Sequence, residues 1–189
     1  MRRILLNFVH FIKNIKHVGA VAPSSASLVR EMVKPLTKRV LSSDKPIRIL
    51  ELGPGTGPVT KEIVNLMRPQ DHLDIVELDV KFFELIKKNF TAPNIQVYGM
   101  NVMDFESDQT YDFLISSIPY DQLPQELSTE LWQKQLDLLK PNSFLTYFKY
   151  YKFNFIRGQF ERGVVKKHCV SKSFVLRNIP PAFVYTLKF

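Results

Sequence analysis

At 189 residues, with 45% hydrophobic and 23% charged residues, the chain suits one globular domain and excludes a disordered or collagen-like polymer. A single cysteine, Cys169, excludes an intrachain disulfide and suits a reducing compartment such as the cytoplasm. The net charge of +8 is uneven: residues 1–30 carry five Lys/Arg and no acid, residues 31–144 twelve against seventeen acids, and residues 145–189 nine against one. Basic ends that meet in the fold make a face for an anionic partner, either a membrane surface or a nucleic acid, with a plain solvated face as the alternative.

Ile4, Leu5, Phe8, Val9, Phe11, Ile12 and Ile15 recur at helical steps and predict a basic amphipathic helix over residues 1–18. Asn7, His10, Lys13 and Lys16 interrupt the apolar run, which falls short of the ~18 apolar residues that span a bilayer. Such a helix lies in the membrane interface or packs on its own domain. Pro23-Ser24-Ser25 caps a second helix through Leu28, Met32 and Leu36. Strands are expected at Ile47–Leu52, Leu73–Glu77, Ile95–Tyr98, Tyr111–Ser116 and Phe144–Tyr151. Helices are expected at Val59–Met67, Val80–Phe90 and Gln125–Leu139, the last stopped by Pro141. Two late strands, Phe174–Leu176 and Phe183–Leu187, flank the turn sequence Asn178-Ile179-Pro180-Pro181. Strand and helix alternate from Ile47 to Tyr151, which predicts a single α/β domain: a Rossmann-like, doubly wound, mostly parallel sheet with a C-terminal antiparallel hairpin and amphipathic helices before it.

Glu51-Leu52-Gly53-Pro54-Gly55-Thr56-Gly57 falls where the first strand turns into a helix. Glycines there let the backbone turn tightly and approach a ligand, and the helix start offers free N–H groups to a carboxylate. The spacing is G-x-G-x-G rather than the dinucleotide G-x-G-x-x-G, and Glu51 stands where it can face an ammonium group. A methionine moiety carries both groups, so the loop points to S-adenosylmethionine. Glu77, at the end of the second strand, is placed to accept from ribose hydroxyls. Asp79 beside it reads as a helix cap. Asn101, after the third strand, offers an acceptor and a donor to an adenine edge, with Asp104 as the competitor. Ser116-Ser117-Ile118-Pro119-Tyr120 lies at the carboxyl end of the fourth strand, the ligand-binding edge of such sheets, where Tyr120 faces the transferred methyl or packs the rim. His10, His17, His72 and His168 are scattered, so no metal is expected.

The chain resembles the bacterial phospholipid N-methyltransferases, a branch of the class I S-adenosylmethionine-dependent methyltransferases. The likeness rests on Phe11–Asn14 leading into Val18–Ser25, on Ile49–Gly57, and on Arg177-Asn178-Ile179-Pro180-Pro181-Ala182-Phe183-Val184-Tyr185. Asn101 stands where such enzymes commonly have aspartate, and Asn142-Ser143 stand where a glycine is usual. The resemblance implies methylation of the phosphatidylethanolamine amine and its methylated intermediates, by a monomer held peripherally at the inner face of an anionic membrane. It implies a cofactor site of Glu51, Gly53, Pro54, Gly55, Gly57, Glu77, Asn101 and Ser116, with Ser24 and Ser25 near its methionine end. It implies an acceptor pocket walled by aromatic rings whose faces suit methylated ammonium groups, with Tyr120, Tyr147 and Tyr185 as the first candidates and Tyr150 and Tyr151 beside them. No nucleic-acid partner is expected. Two other readings stand beside it. Ser116–Tyr120 resembles the Asn-x-Pro-Tyr loop of rRNA adenine dimethyltransferases, with serine in place of asparagine, and a non-catalytic lipid-binding module would keep the fold without the chemistry.

Overall fold

A computed structural model describes residues 24–42, 44–151 and 158–189; the amphipathic segment expected over residues 1–18 lies outside them. The elements are α1 (Ala26–Ser42), β1 (Arg48–Leu52), α2 (Pro58–Leu66), β2 (His72–Val76), α3 (Val80–Asn89) and β3 (Ile95–Tyr98). After these come β4 (Tyr111–Ser116), α4 (Gln125–Asp137), β5 (Leu139–Tyr150), α5 (Gln159–His168), β6 (Cys169–Val175) and β7 (Ala182–Lys188). The seven strands form one sheet in the order β3-β2-β1-β4-β5-β7-β6. The pairs from β3 through to β5 are parallel, and β7 runs antiparallel between β5 and β6. This is the Rossmann-like sheet with its antiparallel hairpin.

Strand alternation sends successive side chains to opposite faces, and each face has its own core. Ile49, Ile75, Phe113, Ile115 and Val184 pack with Leu28, Met32 and Leu36 of α1, Ile63 of α2 and Ile86 of α3. Leu50, Leu52, Leu114, Leu145 and Tyr147 pack with Leu131 and Trp132 of α4 on the other face. The strand order reverses between β1 and β4, and this is where the carboxyl ends of a doubly wound sheet part to receive a ligand.

Two strands differ by more than one residue from their expected bounds. β5 begins at Leu139, ahead of Pro141, because Lys140–Ser143 bulge out opposite Asp112 between the pairs Tyr111–Leu139 and Phe113–Phe144. Asn142 turns the bulge at a φ of 63°, a left-handed conformation that asparagine tolerates. β6 begins five residues before Phe174, at Cys169, and pairs along its length with β7.

Candidate active site

The loop after β1 is held by its backbone. Gly53, Gly55 and Gly57 all have positive φ, and the Gly53 amide donates to the Val76 carbonyl at 2.9 Å. A Cβ on Gly57 would lie 2.7 Å from Ile86 Cδ1, inside the packed core, whereas a Cβ on Gly55 would meet nothing within 4 Å. Gly57 therefore serves the packing of the fold, and Gly55 borders open space. Gly57→Ala is expected to cost about 3 kcal/mol, from left-handed strain plus overpacking, and Gly55→Ala about 1 kcal/mol; thermal melts of both variants check this. Equal losses would contradict the assignment. Gly57 also opens α2 with no side-chain cap, so the helix start is left to other acceptors.

Glu51 is fully buried, and neither carboxyl oxygen has a hydrogen-bond partner. Burial pushes its pKa up to about 8; the nearby Thr60 hydroxyl opposes the rise without reaching hydrogen-bond geometry, and the charge of Glu77 adds to it. Glu77 is itself buried and bridges the loop: Oε2 accepts the Gly55 amide at 3.0 Å and Oε1 the Asp79 amide at 2.8 Å. Asp79 caps α3, as its sequence position suggested, by accepting from Lys81 and Phe82. Asn101 is buried after β3, where its Oδ1 accepts the Met103 amide at 3.0 Å and its Nδ2 has no partner. The oxygen expected to receive an adenine amine is thus already engaged, and the free function of Asn101 is its donor. Asp104 is exposed. Glu51, Asn101 Nδ2 and the open side of Gly55 gather along the carboxyl edge of β1, β2 and β3. A buried acid, a buried donor and an uncapped helix start fit the ammonium, adenine and carboxylate of S-adenosylmethionine.

Ser25 donates its amide to Asn178 Oδ1 at 3.0 Å and caps α1 through its hydroxyl; Ser24 precedes it, half-buried. The block around Ser25 and the block around Asn178 therefore touch, 153 positions apart in the chain.

Beyond β4 the three tyrosines come together. Tyr120 meets Tyr147 edge-on with ring centroids 5.5 Å apart, and Tyr147 stacks on Tyr185 at 5.1 Å. None is more than 4% exposed. Tyr120 spends its one proton on Gln135 Oε1 at 2.7 Å, so Ser116 Oγ is the donor in the 2.6 Å contact between Ser116 and Tyr120. Burial drives the Tyr120 and Tyr147 hydroxyls far above the usual phenol range, and the Tyr185 hydroxyl up to about 12. The three hydroxyls therefore stay neutral and do not serve as bases.

Three residues missed in the sequence complete this cluster. Lys149 Nζ lies 2.7 Å from Asp121 Oδ1 and 2.9 Å from Glu161 Oε1, and Glu161 Oε1 also accepts the Tyr147 hydroxyl at 2.9 Å. The triad is almost wholly out of solvent. Two signals pointed to it: Lys149 shares the inward parity of Tyr147 on β5, and Glu161 is the one acid in residues 145–189.

A seven-stranded sheet of this order, with a glycine loop and a buried acid at its parting strands, defines a Rossmann-like S-adenosylmethionine-dependent methyltransferase. The ribosomal RNA adenine dimethylase family matches residues 11–173, and the chain belongs to that family. It is 28% identical to an ornithine lipid N-methyltransferase from Singulisphaera acidiphila over 98% of this chain and 95% of that protein. It is 29% identical to a ribosomal RNA small subunit methyltransferase A from Mycoplasma capricolum over 58% of this chain, but spans only 41% of that protein. Among solved structures, the magnesium protoporphyrin IX methyltransferase of Synechocystis PCC 6803 superposes with a TM-score of 0.63 at 8% identity, covering 94% of this chain and 90% of that one. The N-methyltransferase NodS of Bradyrhizobium japonicum WM9 gives 0.60 at 10% identity, covering 83% and 87%. These structures show the fold. The chain is an S-adenosylmethionine-dependent N-methyltransferase.

Proposed function

We propose that the chain methylates the amine of a membrane-lipid head group, with phosphatidylethanolamine and its methylated intermediates as substrates, at the inner membrane surface. The observation that carries this reading is the end-to-end match with a lipid amine methyltransferase, against a partial match with the rRNA enzymes. Tyr120 adds to it. Its ring is locked between Trp132 and Tyr147 and its hydroxyl is engaged, so it is not held out as a platform for an extruded base.

In this reading Glu51 faces the ammonium of the methionine moiety, and the loop amides and the start of α2 face its carboxylate. Ser24 and Ser25 close that end, Glu77 receives the ribose hydroxyls, Asn101 Nδ2 donates to an adenine ring nitrogen, and Gly53, Pro54 and Ser116 shape the wall. The cofactor supplies an electrophilic methyl group. The acceptor amine has an ordinary pKa near ~10 and must lose its proton before it attacks. Tyr120, Tyr147 and Tyr185 exclude water and wall the path, so catalysis rests on orientation and desolvation. Residues 1–18 are proposed as the membrane-facing helix.

The ribosomal RNA adenine dimethylase family match supports a second reading, an RNA adenine acceptor. Methyl-labelled S-adenosylmethionine offered with phosphatidylethanolamine vesicles, ornithine-lipid vesicles or total RNA separates the readings. Label is expected in phosphatidylethanolamine. Label in ornithine lipid alone would move the substrate within the lipid class, and label in RNA alone would overturn the proposal.

A further inference from the structure

Four of the nine large apolar side chains left exposed among the described residues gather at one place: Tyr151 (61% exposed), Phe174 (49%), Leu176 (70%) and Ile179 (80%). They stand on and around the β6–β7 turn, residues 176–181. Because Ala182 pairs with both Tyr150 and Val175, this turn projects from the carboxyl edge of the sheet, the edge that carries the site. The turn is built to hold its shape. Asn178, 3% exposed, bonds the Ser25 amide through Oδ1 and the Pro180 carbonyl through Nδ2 at 2.7 Å, and the Tyr151 amide donates to Pro181 at 2.7 Å. Behind the tip, Tyr151, Phe174 and Phe183 lie ring against ring, with centroids 4.8 to 6.2 Å apart. Exposed cations flank it: Arg177 sits in the turn, and Lys172 lies over the Phe183 ring at 4.3 Å. Across residues 158–189 the only acid, Glu161, is buried in its ion pair.

A rigid stem that presents isolated, solvated aliphatic side chains between cations is complementary to an anionic bilayer. The aliphatic groups enter the acyl boundary and the cations meet phosphates. A nucleic acid would use the cations but gains nothing from Ile179 and Leu176. We propose that the β6–β7 turn is a lipid-docking element, with Ile179 and Leu176 inserted and Lys172 and Arg177 on the head groups, so that the acceptor side of the sheet is pressed to the membrane. The inference rests on the lipid reading above and names the surface that reading needs.

The full chain and the variants Ile179→Asp, Leu176→Asp and Arg177→Glu are sedimented with vesicles of phosphatidylethanolamine and phosphatidylglycerol, with vesicles of phosphatidylcholine alone, and with total RNA. Each aspartate variant is expected to lose about tenfold in vesicle partition, while S-adenosylmethionine affinity by calorimetry is unchanged because the side chains are solvent-exposed. Arg177→Glu is expected to lose binding mainly on the anionic vesicles and at low salt. If an aspartate variant melts early, Ile179→Ser and Leu176→Ser carry the same comparison. Wild-type partition in every variant overturns the docking element but leaves lipid methylation standing. Turn-dependent vesicle binding without label in any lipid supports the docking element and overturns the acceptor. RNA binding that depends on Arg177 while vesicles go unbound overturns the docking element.

Discussion

Glu51→Gln is expected to raise the stability of the ligand-free protein by about 3 kcal/mol at pH 8 while sharply weakening its hold on S-adenosylmethionine. The unfolded carboxyl ionises near its ordinary 4.5 and the folded one near 8. Between those values the folded state keeps a proton that the unfolded state has lost. Stability therefore falls as pH rises across that window, at up to about 1.4 kcal/mol per pH unit. Glutamine removes the titration, though its buried amide inherits part of the desolvation cost, hence an effect below the full shift. Denaturant melts from pH 5 to 9 should show a slope in the wild type that is flattened in the variant. Parallel curves would show that Glu51 does not titrate in this window. In the proposed arrangement the ligand ammonium displaces that proton, so affinity rises with pH below 8. Calorimetry at pH 7 in two buffers of different ionisation enthalpy reads the released proton, and equal heats would count against the contact.

Lys149→Met is expected to be the most destabilising single change on the other face of the sheet, at about 3 to 5 kcal/mol near neutral pH. Lys149 stands between Asp121 and Glu161, and its removal leaves two buried carboxylates facing each other. The double variant Lys149→Met with Glu161→Gln should recover part of the loss, because the charge is removed together with its partner. Urea melts of the two variants decide this. A cost below about 1 kcal/mol would mean that water reaches the triad.

The contrast between these two sites tracks what was legible in the sequence. The loop Glu51–Gly57 could be read because its constraints are local: positive φ at three glycines and a strand-to-helix turn leave a pattern in consecutive residues. β1, β2 and β4 were legible for a similar reason, since strands buried on both faces are largely apolar runs. β6 was not. As an edge strand it buries only Val175, so its polar residues read as loop until Phe174. β5 was cut short because Pro141 was read only as a helix stop, while the Asn142 bulge let the strand begin earlier. The Asp121–Lys149–Glu161 triad joins three segments through the tertiary fold. Parity and charge rarity hinted at two of its members, but no spacing in the chain encodes their meeting. Asn101 shows a finer limit. Its position was legible, but which end of its amide is free depends on the Met103 amide beyond it.

The bond between Ser25 and Asn178 also has a consequence for synthesis. α1 packs Leu28, Met32 and Leu36 against a core that includes Ala182 and Val184 of β7, and Thr146 of β5 donates to its Met32 carbonyl. At ~5 to 20 residues per second, a ribosome leaves that helix waiting roughly 8 to 30 s for the strand that finishes covering it. During that interval the part of its apolar stripe that β7 covers stays open, where a chaperone or a nearby lipid surface can meet it.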